Sequence, residues 1–161
     1  MPAIEELRQQ LIRNFHDAPR EAFQRAPLYD TQAARLAAGT AARQMGASID
    51  TVAPGKISCP YHFHHEEEEM FIVLQGEGTL RVAGERLPVR AGDVIFIPAG
   101  PEYTHQLINT SDAPLHYLSI STQAKTEVCE YPDSGKLGVY APGVRTLHKR
   151  DTGLDYWVDE P

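Results

Sequence analysis

Over the first fifteen residues, Ile4, Leu7, Leu11, Ile12 and Phe15 recur at helical spacing, with Glu5, Glu6, Arg8 and Gln9 between them. This pattern predicts an amphipathic helix whose apolar stripe must dock on something. Pro19 and Pro27 interrupt it, and the Ala-rich stretch from Thr31 to Arg43 predicts a short second helix behind a Thr cap. Gly39 weakens that helix, and its latter half reads equally as extended chain. From about residue 46 the pattern changes to short apolar runs: ASIDTV, KISCPYHFH, EMFIVLQ, TLRVA, RLPVR, DVIFIP, YTHQLIN and LHYLSIS. Turn residues fall between them at Pro54-Gly55, Gly76-Glu77-Gly78, Gly84-Glu85, Ala91-Gly92-Asp93 and Pro98-Ala99-Gly100. Short strands at even spacing predict an all-β fold, a closed or double-sheet jelly roll. The organisation expected is a helical extension over 1–45, a barrel over 46–122, and further strands with an irregular tail over 123–161.

The chain has 161 residues, room for one domain with one sizeable core. Fifteen Lys and Arg against twenty-two Asp and Glu give a net charge of −7. A protein that neutralises phosphate backbones needs the opposite balance, so nucleic acid is excluded as a partner. No window approaches the ~18 apolar residues that span a bilayer, and the charged N-terminus does not resemble a secretory signal. A cytoplasmic protein without a membrane partner is expected. Cys59 and Cys129 stand far apart and in no CxxC pattern, which indicates reduced, inert thiols rather than a disulfide or a thiolate zinc site.

Three histidines at 62, 64 and 65 precede four glutamates, Glu66 to Glu69. On a strand, alternate side chains share a face, so His62 and His64 project together while His65 points away. Two imidazoles so placed reach one ion, given further ligands from neighbouring strands. An isolated His-x-His is more often a solvated loop. Here further spacings accompany it: Gly55, His62, His64, Glu69 and Gly76 form one series, and Gly92, Pro98, Gly100, His105 and Asn109 a second.

In these two series the chain resembles the cupin family over about residues 46 to 121. The first departs from the family pattern by six residues rather than five between Gly55 and His62, and the second by four rather than two between Gly100 and His105. The resemblance implies a double-stranded β-helix, the jelly-roll cupin barrel, with His62, His64, Glu69 and His105 as ligands of one divalent transition metal ion: manganese, iron, nickel or zinc. Glu68 competes with Glu69, and parity favours Glu69, which falls on the side of Phe71 and Val73. For proton transfer beside a bound substrate the candidates are Glu68, Tyr103 and Tyr117, with Tyr103 sharing the face of His105.

The terminal segments CEYPDSGKLGVYA and DYW make the chain similar to small bacterial single-cupin proteins described as candidate sugar-phosphate isomerases of the phosphomannose isomerase-like group. A metal-dependent sugar or sugar-phosphate isomerase acting on a small-molecule substrate is the function this implies. A metal-dependent dioxygenase and a non-catalytic sugar or small-acid binding module are the alternatives. Lys56, Arg81, Arg86 and Arg90 are the basic residues of 46–122, and nothing in the sequence gathers them around one phosphate. The apolar helix and the Tyr156-Trp157 tail suggest a homodimer, with the tail either a subunit contact or a lid over the barrel mouth.

Overall fold

The computed structural model describes residues 3–161. In chain order its elements are helix α1 (Ile4–Leu11) and strands β1 (Glu21–Arg25), β2 (Tyr29–Arg35), β3 (Met45–Val52), β4 (Phe63–His64), β5 (Glu69–Gln75), β6 (Glu77–Val82), β7 (Glu85–Arg90), β8 (Val94–Ile97), β9 (His105–Ile108), β10 (Leu115–Thr122), β11 (Glu127–Tyr131), β12 (Lys136–Ala141) and β13 (Val144–Lys149). They form sheets in the orders β1-β2-β3-β10-β5-β8, β13-β12-β11-β4 and β7-β6-β9. Every strand pairing is antiparallel.

The β fold follows from alternation. On β5, Phe71 and Val73 turn inward, and Tyr117 on β10, the cross-strand neighbour of Val73, does the same. With Val52, Leu80, Val89, Ile97, Leu107 and Leu115 they form one buried core. Each such side chain contributes about 1.5–3 kcal/mol by leaving water. Gly76 makes the tight β5–β6 connection: its φ is 85°, and a Cβ there would stand 2.5 Å from the Pro114 carbonyl oxygen. Asn109 is fully buried. Its Nδ2 donates to the carbonyls of Val52 (2.9 Å) and Ala113 (2.8 Å), and its Oδ1 accepts from the Ser111 N–H and hydroxyl. The last residue of the second motif is thus a structural clasp.

Two expectations are corrected. Thr31 to Arg35 belongs to strand β2, and the rest of the stretch to Arg43 is turn and bend rather than helix. Ala33 and Ala34 are buried opposite Asp50 and Ile49 of β3, and sheet pairing overrides the helix preference of alanine. Thr31 caps nothing; its hydroxyl donates to the Ser58 carbonyl at 3.1 Å. Helix α1 does form, but it ends at Leu11 and its apolar stripe finds no dock among the described residues, with Ile4 88% and Leu11 65% exposed. The segment after Ser121 contains β11, β12 and β13. Among the described residues no helix is long and apolar enough to cross a membrane.

Candidate metal centre and its cavity

Four side chains from distant points of the chain converge inside the barrel. His62 and His105 exchange backbone hydrogen bonds, His62 N–H to the His105 carbonyl at 3.1 Å and the reverse at 2.8 Å, which sets their rings 4.6 Å apart. His64 lies on β4, and Glu69 opens β5. Glu69 Oε2 stands 3.8 Å from His62 Nε2, 3.6 Å from His64 Nε2 and 2.8 Å from His105 Nε2. The imidazoles are aimed by the backbone. Nδ1 of His62 faces the Pro60 carbonyl at 2.8 Å, and Nδ1 of His105 faces the Tyr103 carbonyl at 3.0 Å. A carbonyl only accepts, so each Nδ1 carries a proton and each Nε2 is turned toward the cluster.

Among the described residues three buried side-chain polar atoms lack a hydrogen-bond partner, and all three are here: Glu69 Oε2, His105 Nε2 and His64 Nδ1. Leaving such atoms unpaired is costly, and a cation relieves the first two at once. Donors about 2.1 Å from a shared ion stand roughly 3.0–3.4 Å from one another, close to the separations observed. The electrostatics agree. Burial pushes the Glu69 carboxyl up, but the imidazoles of His105, His62 and His64 outweigh it and hold the group below the ordinary carboxylate range. Burial lowers the His64 pKa against the pull of Glu69. A charged carboxylate and a neutral imidazole are the forms that ligate metals, so the donor set fits a divalent transition ion.

The comparisons agree with this geometry. Residues 48–121 match the model of the cupin domain family, Cupin_2. The barrel is a cupin domain. Auxin-binding protein 1 of Arabidopsis thaliana is 30% identical over 133 residues, covering 76% of this chain and 64% of that protein. An oxalate-binding protein of Thermotoga maritima is 36% identical over 67 residues, 42% of this chain and 53% of that one. The chain spans about half the length of curated relatives such as the latter. Among solved structures, a candidate sugar phosphate isomerase of Acidithiobacillus ferrooxidans is 26% identical with a TM-score of 0.80, covering 92% of this chain and 97% of that one.

Around the cluster lies an open cavity of about 710 Å³, lined among others by Asp50, Cys59, Tyr117, Lys125, Tyr131 and Arg145. Tyr117 reaches it from β10, and burial holds its phenol well above the ordinary value. Two residues expected at the site are elsewhere. Glu68 is exposed and exchanges hydrogen bonds with Thr122, its N–H to the hydroxyl and its carbonyl from the N–H, both at 2.9 Å. As the strand neighbour of Glu69 it faces the opposite side. Tyr103 closes a 3-10 turn over Pro101–Tyr103, so strand alternation does not extend from His105 back to it. Its side chain is 43% exposed and off the cavity wall; only its carbonyl serves the site, through His105. His65 points outward, as alternation requires, to Glu130 at 2.9 Å.

Residues outside both motifs complete the site. Glu127, buried at the start of β11, accepts backbone N–H groups of His65 (2.8 Å), Glu66 (3.1 Å) and Glu67 (2.9 Å), pinning the acidic loop that joins His64 to Glu69. Its Oε1 also lies 3.6 Å from His64 Nδ1. Cys129 pairs in register with His64, and its sulfur lies within 4.8 Å of donor atoms of His62 and His64. Burial pushes both thiols up to about 12, so Cys59 and Cys129 are protonated and unreactive. Arg81 is engaged away from the cavity by Asp133, at 2.6 and 3.0 Å. The cations on the cavity wall are instead Lys125 and Arg145 from the C-terminal segment, and neither forms an ion pair with the described carboxylates. Tyr156 and Trp157 pack on each other at 4.8 Å, exposed and off the cavity wall; in this conformation the tail is not a lid.

Proposed function

We propose that His62, His64, Glu69 and His105 hold one divalent transition metal ion and that the cavity acts on a small oxygenated metabolite as a sugar or sugar-phosphate isomerase. The observation that carries this is the meeting of three Nε2 atoms at one carboxylate oxygen, with Glu69 Oε2 and His105 Nε2 buried and unpartnered. A bound ion would polarise the adjacent carbonyl and hydroxyl oxygens of a hydroxyaldehyde or hydroxyketone. Lys125 and Arg145, free of carboxylate partners on the same wall, are suited to an anionic substituent such as a phosphate. The Acidithiobacillus protein described above supports the choice of reaction class.

A second reading is retention of a small organic acid without turnover. The relatives named for binding oxalate and auxin favour it, since both ligands carry carboxylates that the same ion and cations would receive. The experiment is a metal inventory of untagged protein followed by sugar-phosphate isomerisation and oxygen-uptake assays. Isomerisation that stops on chelation supports the first reading. Tight oxalate binding without turnover supports the second, and oxygen consumption with a phenolic substrate overturns both in favour of a dioxygenase.

A further inference from the structure

Asp50 is an ionisable group on the interior face of the barrel that the metal centre does not use. On β3 the interior positions are Ser48, Asp50 and Val52, and Asp50 is the cross-strand neighbour of Tyr117 on one side and Ala33 on the other. Its carboxylate accepts a hydrogen bond from the Ser48 hydroxyl and lines the same cavity as Glu69, His62 and His105. An apolar residue would satisfy the packing of this face, as Val52 does two positions on. A carboxyl there is costly to bury, and costly groups of this kind cluster where a protein does chemistry.

We propose that Asp50 is the proton-transfer residue of the cavity, moving a proton between adjacent carbons of a hydroxycarbonyl substrate held beside the histidine cluster. This rests on the isomerase reading and supplies the group that Glu68 and Tyr103 cannot. The carboxylate removes a proton from the hydroxyl-bearing carbon next to the carbonyl. The C–H pair becomes the carbon–carbon double bond of an enediolate, and the carbonyl π pair settles on its oxygen. Asp50 returns the proton to the former carbonyl carbon while the other oxygen passes its own proton across. Carbonyl and hydroxyl thereby exchange carbons with no net oxidation.

The surroundings suit the task. Burial raises the Asp50 pKa to about 6, opposed by the Ser48 hydrogen bond and by Arg20, and reinforced by Glu69. Ser48 bonds to it from its own strand, Tyr117 is its neighbour on β10, Arg20 and Glu69 act on its charge, and Ser58, Cys59 and Ser119 line the cavity with it. Burial keeps Tyr117 and Cys59 protonated, so they do not compete as bases. A base with a value near working pH both takes and returns a proton efficiently.

The test compares wild type, Asp50→Asn and Asp50→Glu, each with metal content measured, on triose, pentose and hexose ketose phosphates in deuterium oxide. The expected result is deuterium at the carbon next to the carbonyl with wild type, a loss of at least 100-fold in Asp50→Asn at unchanged metal content, and partial recovery in Asp50→Glu. Exchange in Asp50→Asn within threefold of wild type overturns the assignment and leaves the isomerase reading standing. No exchange by wild type on any probe overturns that reading and the assignment with it. Independently of turnover, carbon-13 NMR of labelled aspartate should show a titration missing in Asp50→Asn that moves to lower pH when zinc is added. A titration that zinc leaves unmoved overturns the assignment.

Discussion

Glu127 and His64, sixty-three positions apart in the chain, face each other with Oε1 3.6 Å from Nδ1. The same carboxylate takes three backbone N–H groups from the loop that carries the chain from His64 to Glu69. One residue of the C-terminal strands therefore pins the loop between two candidate ligands and places a carboxylate beside the ring of one of them.

Replacing that carboxylate separates the two tasks. Glu127→Gln should lower metal affinity about 10–100-fold, because it removes the carboxylate charge that stands beside the His64 ring. Glu127→Ala should in addition cost on the order of 1–2 kcal/mol of stability by removing the acceptor of three part-buried N–H donors. Competition against a chelating dye and urea unfolding read the two effects.

The double variant His62→Ala, His64→Ala should lose metal altogether and keep a folded barrel. Neither ring belongs to the apolar core formed by Phe71, Val73, Leu115 and their neighbours. Elemental analysis with far-ultraviolet circular dichroism checks this, and stoichiometric metal in the folded variant would contradict the ligand assignment.

Removing the ion from wild type should lower thermal stability. An ion at 100 times its dissociation constant contributes about 2.7 kcal/mol to the folded state. For a chain of this size that is roughly 5–10 °C in Tm, to be read in scans with and without a chelator.

The folded-state pKa of Asp50, about 6, lies above its ordinary value of 3.8, so the fold favours the protonated form. The stability this group contributes is complete below pH ~4 and is lost as pH rises through 6. Asp50→Asn should therefore stabilise the metal-free protein by on the order of 2–3 kcal/mol at pH 7.5, and much less at pH 4.5. Urea unfolding at both values gives the difference, and an equal gain at both would contradict it.

Asn109→Ala should destabilise by about 2–4 kcal/mol, since it leaves the Val52 and Ala113 carbonyls without their donor at a fully buried position. Thermal unfolding measures this, with metal content per folded molecule unchanged.

Period-two alternation and glycine-bearing turns were legible along the chain because each depends on residues only a few positions apart. So was the placing of Glu69, rather than Glu68, on the side of Phe71 and Val73, since strand parity sends neighbours to opposite faces. Alternation also puts Asp50 on the face of Val52, a polar mark at an interior position of ASIDTV. What it borders was not legible, because that depends on Tyr117 arriving on β10. Local composition misdirected the Ala-rich segment, whose strand form comes from pairing with β3. Glu127, Lys125 and Arg145 carry no motif at all. They reach the cavity because antiparallel pairing of β11 with β4 and with β12 brings the C-terminal segment against the histidines, a contact between positions too distant for any local pattern to record.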